Sequence, residues 1–420
     1  MRQRSRTRFA PVAAGLFAGA LLLSACGGGS AAADDGDATL TYWLWQDDST
    51  DPTWTNLVAE FNEQSTSGTV EVQVIPLAQY EDKLLNALSS GGGPDAARFK
   101  DVWLGEFVQA KALAPLSERI AGWEGKDDVV PALLDAGKVP GDDEIYLMPH
   151  QYTTLYMYYN KAIFAAHGLE APRTHEDVMA AAKTLADAGQ FAIDVRGGVG
   201  GQDQWAAWMY SAGAQFVDES GKVTLADPVG VAANQDYLDL LRELEATPPG
   251  SITADFAAVR GNFLNGTTAM MIHHAGSLAA VREGLGDDVG VIPMPSADPA
   301  KPTTLGSMSG NVVFGASDKQ DLAWEWVSWL LTHDPMLTMS TSPQGQLPVL
   351  TSVAEGSPFS DDEGLRVALD AQATARTWPL LPGTSTVVNK DWVPTLQSAF
   401  EGKVTSAEAL EELSTVLAGK

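Results

Sequence analysis

The feature that most constrains this chain is the regular change of apolar period that begins at Thr39. Thr39 to Trp45 alternates as a short strand, and Thr53 to Ser65 repeats at helical spacing with Leu57, Val58 and Phe61 on one face. Val70 to Ile75 alternates again and is closed by Pro76. Tyr80 to Leu88 is helical and stops at Ser89-Ser90-Gly91-Gly92-Gly93. Pro94-Asp95 opens a third strand and loop, and Val102 to Leu113 is helical. Strand, helix, strand, helix, strand is the pattern of a parallel sheet with helices on its faces, so the fold class is α/β.

The middle of the chain breaks this rhythm. Ile145 to Asn160 is a long extended run carrying Tyr146, Tyr152, Tyr156, Tyr158 and Tyr159, interrupted by Pro149. Tyr156, Tyr158 and Tyr159 follow strand spacing beside apolar neighbours, which assigns them to the core. Helices are expected from about His175 to Ala188, with Thr174 as N-cap, and over Trp205–Ala212, Val231–Glu245, Phe256–Leu264 and Leu322–Leu331. Strands are expected over Gly266–Ile272 and Val289–Pro293. Gly306-Ser307-Met308-Ser309-Gly310 has the composition of a flexible polar loop, and the absence of a following GK[ST] rejects a P-loop. Thr405-Ser406-Ala407-Glu408 is a capping box ahead of a last helix. A chain of 420 residues has room for two to three domains.

Before the folded part comes a leader. Arg2, Arg4, Arg6 and Arg8 precede an apolar stretch from Phe9 to Leu23, weakened as a permanent span by Pro11, Gly15 and Gly19. Leu23-Ser24-Ala25-Cys26 resembles a bacterial lipobox, and Gly27 to Ala33 is a linker composition. This order implies a signal peptide over 1–25, acylation of Cys26, and a flexible tether over 26–38. The expected location is extracytoplasmic, held to the cell membrane by lipid. An ordinary cleavable signal at Ser24-Ala25 is the alternative. Cys26 is the one cysteine in the chain, which excludes an internal disulfide and any CxxC motif. The formal charge of −28 argues against nucleic acid and anionic lipid headgroups as partners, and loss of the leader's arginines deepens it.

With these pieces in order, the chain resembles the extracellular sugar-binding proteins of ABC importers, the maltose-binding-protein-like group. Leu40-Thr41-Tyr42-Trp43-Leu44-Trp45 is similar to the group's first strand. Gly93-Pro94-Asp95 with Ala112-Leu113-Ala114-Pro115-Leu116 is similar to its third strand and following helix end. Leu155-Tyr156-Met157-Tyr158-Tyr159-Asn160-Lys161, with Phe164, His167-Gly168-Leu169 and Ala171-Pro172-Arg173-Thr174, is the most specific match. Phe263 with Gly266-Thr267-Thr268-Ala269-Met270 resembles a family strand, and Gly345-Gln346-Leu347-Pro348 a late loop near the cleft. Relatives often carry a tryptophan after that strand; here His273-His274 stands instead, which implies a different ligand contact. The resemblance implies two α/β lobes joined by a multi-segment hinge, with 39–148 and 273–330 in lobe one and 149–272 and 331–420 in lobe two. It implies a carbohydrate ligand in the interlobe cleft, delivery to ABC permease subunits, no cofactor and no metal, and a monomer.

Aromatic planes cover the apolar faces of a sugar, while carboxylates and amides bond its hydroxyl rim. On that basis Trp45, Gln46 and Asp47 at the end of the first strand, Asp95 and Asp101, and Gln151 and Tyr152 at the first crossing are candidates. Trp205 and Trp208 sit at i and i+3, so one can stack on a ring while the other packs. His274, Ser307, Met308, Gln346 and Trp378 complete the set. No HExxH or GxSxG occurs, and His273-His274 lacks the i,i+4 spacing of a helical metal site, so catalytic residues are not assigned. The competing readings are a carrier of ferric ion, invited by Tyr158-Tyr159, a polyamine carrier suited to the acidity, and a glycoside-acting enzyme.

Overall fold

The computed structural model describes residues 38–46, 51–218, 220–342 and 345–420. The leader, Cys26, nearly all of the tether and Asp47 lie outside the described residues.

Eight strands are present among them: β1 (Ala38–Leu44), β2 (Gly68–Val74), β3 (Ala96–Lys100), β4 (Met148–Asn160), β5 (Phe191–Ile193), β6 (Thr268–His274), β7 (Val289–Ile292) and β8 (Gly306–Val313). They run β2-β1-β3-β8-β4-β6-β5, with β7 also on β4. β1 pairs in parallel with β2 and β3, as the opening alternation predicts. Leu40, Tyr42, Trp43 and Leu44 are all buried because helices cover both faces of this sheet. The helix Thr53–Gln64 buries Trp54, Leu57 and Phe61.

β4 organises the molecule. Its 13 residues span ~43 Å. Met148 to Thr154 pair with β8, while Leu155 to Asn160 pair with β6 and β7. One strand therefore serves two sheets. Pro149 donates no backbone N–H, and the register shifts between it and Gln151. The second sheet is completed by β5, parallel to β6. Two of the three β4 tyrosines assigned to the core lie in it: Tyr156 and Tyr158 are fully buried with hydroxyls 2.9 Å apart, and the Tyr158 hydroxyl donates to the His274 carbonyl at 2.9 Å, while Tyr159 is half-buried against the core.

The region read as a polar loop is instead β8, which lies between β3 and β4. Its small residues are a steric requirement. A Cβ on Gly306 would stand 1.8 Å from the Tyr152 hydroxyl, and one on Gly310 would stand 2.5 Å from the Met148 carbonyl oxygen. The expected helix Val102–Leu113 is shorter, a 3-10 turn over Asp101–Trp103 followed by Leu104–Gln109. Two segments also pair differently from the sequence-drawn division: β7 joins the second half of β4, and the helix His333–Thr341 packs on Thr53–Gln64 beside the first sheet. Both capping boxes form, at Thr174 with Asp177 and at Thr405 with Glu408.

Candidate functional site

In open α/β sheets the carboxyl ends of parallel strands face the ligand. Those of β1, β3, β5 and β6 carry most of the polar side chains described below.

At the end of β1, Trp45 is buried and meets Tyr80 and Trp103 edge-on, with ring centroids 5.2 and 5.6 Å away. The Arg98 guanidinium lies 4.1 Å from the Trp45 ring centre and 5.7 Å from that of Trp54. It donates from Nη1 to the Trp45 carbonyl (2.9 Å) and from Nη2 to Gln151 Oε1 (2.8 Å). A charge buried this deeply is tolerated because aromatic faces and oxygens surround it. Gln46 Nε2 donates to the Asp51 carbonyl at 3.1 Å. The Asp51 carboxylate accepts from the Thr53 backbone N–H and hydroxyl, at 3.0 and 2.6 Å. Asp51, Thr53, Trp54, Arg98, Gln151, Met339 and Ser342 line a cavity of about 10 Å³, room for roughly one water.

Asp101 follows the end of β3 and is only 3% exposed. Its Oδ2 accepts from the Met308 N–H and its Oδ1 from the Val102 N–H, both at 2.8 Å. Burial pushes its pKa up to about 7, and nearby Asp203 acts in the same direction against the two bonds. Met308 contributes this backbone N–H while its side chain is buried, and Ser307, opposite Thr153, is partly exposed. Tyr152 is buried and exchanges backbone bonds with Leu347 at 3.0 and 2.9 Å. Burial, reinforced by the Asp101 charge, holds its phenol above the ordinary range.

His274 ends β6. Its Nδ1 accepts from the Gly276 N–H at 3.1 Å and stands 3.4 Å from Gln346 Nε2. Gln346 Oε1 also accepts from the Thr153 hydroxyl at 3.2 Å, so this amide ties the middle of β4 to the end of β6. Burial lowers the His274 pKa to about 4, with Arg196 and Arg260 adding repulsion, so the ring is neutral at pH 7. Phe256 stacks on it at 5.2 Å.

Three expectations need correction. Asp95 precedes β3 and stands at the opposite end of the strand from Asp101. It accepts from the Thr41 N–H (2.8 Å), the Ser317 hydroxyl (2.7 Å) and Lys319 Nζ (3.2 Å), and so ties β1 to the segment after β8. Trp205 and Trp208 both lie in the interior of the helix Gly201–Ser211, donating Nε1–H to Asn234 Oδ1 (2.8 Å) and the Ala233 carbonyl (2.9 Å). Neither ring presents a face for stacking. Trp378 is 2% exposed, stacked on Trp205 at 6.2 Å, and donates to Asp203 Oδ1 at 3.1 Å.

The structure therefore brings Trp45, Gln46, Gln151, Asp101, Tyr152, Ser307, Met308, His274 and Gln346 to the junction of the two sheets and separates Asp95, Trp205, Trp208 and Trp378 from it. Sequence reasoning left out Trp54, Asp203, Arg196, Arg260 and Phe256. Arg196 was the most discoverable, because it adjoins Gly197-Gly198-Val199-Gly200-Gly201 at the opening of a helix. A larger cavity, about 420 Å³, lies by Gln190, Phe191, Glu243 and Glu245 at the amino end of β5, away from these groups. Among the described residues no three His, Cys, Asp or Glu side chains converge as a metal site, and no helix is long and apolar enough to cross a membrane.

Known proteins share this architecture. A solute-binding protein from Thermotoga lettingae, solved with α-D-tagatose, superposes with a TM-score of 0.78 over 91% of this chain and 99% of its own, at 23% identity. The GacH receptor of Streptomyces glaucescens, solved unliganded and with acarbose, gives a TM-score of 0.77 over 91% and 98%, at 22% identity. The maltotriose-binding protein of Pyrococcus abyssi is 23% identical over 301 residues, which are 70% of this chain and 63% of that protein. The fold is thus that of the two-lobed periplasmic binding proteins, two α/β lobes joined by a multi-segment hinge. The sequence model of the bacterial extracellular solute-binding proteins matches residues 26–336, and with the fold and junction described above this chain belongs to that family.

Proposed function

We propose that this protein captures a carbohydrate between its lobes and delivers it to the permease of an ABC importer, without catalysing a reaction. The observation that carries the reading is the junction on β4, along which an arginine-backed tryptophan (Trp45), a carboxylate (Asp101), amides (Gln46, Gln151, Gln346) and a neutral imidazole (His274) are set, Trp45, Asp101 and His274 of them at strand carboxyl ends. Planar apolar surface beside rim donors and acceptors is what a sugar requires. Similar folds solved with tagatose, maltose and acarbose support the same ligand class. The small Arg98 cavity admits a sugar only when the lobes part, and closure then follows by hinge motion about β4.

We draw the lobes by strand pairing: 38–154 and 306–350 in the first, 155–305 and 351–420 in the second. Cys26 is the lipid anchor, and the following tether keeps the receptor concentrated beside its permease. Tyr158, one of the pair that invites a ferric-ion reading, spends its hydroxyl on Tyr156 and on the His274 carbonyl, which disfavours that reading.

Calorimetric titration of the purified protein with mono- and oligosaccharides, spermidine and ferric citrate tests the proposal. Saturable binding of a sugar alone is expected. Silence toward every sugar together with binding of iron or spermidine would overturn it.

A further inference from the structure

We infer that the sugar recognised here carries an anionic substituent, a carboxylate or phosphate, received by Arg196 and Arg260 beside Phe256. This inference rests on the carbohydrate reading above and specifies its chemistry. The chain has 54 acidic side chains against 26 basic ones, so an arginine in the fold should readily find a carboxylate. Arg282 does so with Asp362, and Arg119 with Asp321. Arg196 and Arg260, distant in sequence, instead converge on one ring: their guanidinium carbons lie 5.7 and 5.3 Å from the centre of Phe256. Phe256 is itself stacked on His274, at the carboxyl end of β6.

Among the described residues neither arginine has a carboxylate oxygen within 4.0 Å, although Asp203 and Asp255 attract the Arg196 charge from farther away. Those two acids are engaged elsewhere. Asp203 accepts from Trp378 Nε1, and Asp255 accepts from the Ala258 N–H at the start of the helix Phe256–Leu264. Arg196 donates from Nη2 to the Val199 carbonyl at 3.3 Å, while its buried Nε has no partner. Its backbone is held at φ 38°, the left-handed region, and the guanidinium lies against Gly200, where a Cβ would stand 2.2 Å from Nη2. A conformation costly for a side-chain-bearing residue is retained there, and it fixes the guanidinium beside the opening turn of the helix Gly201–Ser211. Two guanidiniums that face one ring, neither of them in an ion pair, leave forked donors that match carboxylate and phosphate oxygens.

The test titrates the full-length protein with uronic-acid and phosphorylated mono- and disaccharides beside their neutral parents, at low and high sodium chloride. An acidic sugar should bind roughly ten- to a hundredfold more tightly than its parent, and salt should erode the advantage. Arg260→Ala should bring its affinity down toward that of the parent, and Arg260→Lys should retain part of the advantage. Competition by inorganic phosphate would assign the group to phosphate; indifference to phosphate with a preference for uronic acids would assign it to carboxylate. Neutral sugars binding as tightly as their acidic counterparts would overturn the inference and leave the carbohydrate reading standing. Silence toward both kinds would overturn both. The wild-type preference and its salt dependence decide the matter even if the arginine variants fold poorly.

Discussion

Two tryptophan groups, one beside β1 and one around the helix Gly201–Ser211, use the same side chain for opposite purposes. Around that helix Trp205, Trp208 and Trp378 each donate the indole N–H to a protein acceptor, and they are packed among Phe216, Tyr237 and Trp392. Near β1, Trp45 and Trp54 lie beside a buried guanidinium, next to a small cavity with polar walls. Indole count therefore says little about ligand stacking. What distinguishes the groups is whether a charged or open face is left beside the ring.

The sharpest way to break this comparison is Trp205→Ala. If the second group is core, urea denaturation should show a loss of about 3–5 kcal/mol. A loss of sugar affinity at unchanged stability would place Trp205 in the site after all.

Next in size is the pH response of Asp101. Its folded pKa of about 7 lies above the ordinary value of 3.8, so the folded state binds more protons between those values. Its contribution to stability is therefore fully present below pH 3.8 and is lost as pH rises through 7. His175 and His274 act oppositely: burial lowers both to about 4, so their contribution is lost as pH falls from 6.5 toward 4. Asp101→Asn removes the titration and keeps one acceptor oxygen for the Met308 and Val102 N–H groups, at the cost of one of the two bonds at every pH. Melting temperatures of the variant should gain on wild type progressively from pH 5 to pH 8, by the equivalent of roughly 2–4 kcal/mol. Parallel curves would show that Asp101 titrates as an ordinary carboxyl.

Arg98→Met should cost about 1–3 kcal/mol, because it leaves the Trp45 carbonyl and Gln151 Oε1 without their donor, and it should weaken sugar binding as well. Stability and affinity falling together would set the first group apart from the second. Gln346→Ala should have the smallest effect, about 1 kcal/mol on stability, since it loses one Thr153 bond and a long contact to His274. A large loss of sugar affinity at near-normal stability would make Gln346 a direct ligand contact.

The sheet framework was readable where strands are buried on both faces and helices carry an apolar stripe, as in β1 to β3. The tyrosine run of β4 was also legible, because alternation fixed which rings face inward. β8 was not, because close neighbours demand glycine and serine there, and these residues imitate a loop. The part of the site at the end of β1 was legible in its tryptophan and glutamine. Arg196, Phe256 and Arg260 were not, because their meeting depends on how the strand ending near Ile193 and the helix Phe256–Leu264 are brought together. Asp95 misled because an acid beside a glycine run has the same composition whether it precedes a strand or follows one.

The shared strand has a consequence for how this protein folds and melts. β4 is hydrogen-bonded in both sheets, and β8 enters between β3 and β4 only after the chain has completed β5, β6 and β7. The sheet begun first is thus closed last, through contacts distant in sequence, which predicts slow folding. Neither half keeps its full complement of strands without the other. Calorimetry should therefore record one cooperative melting transition, with the two halves losing structure at the same temperature.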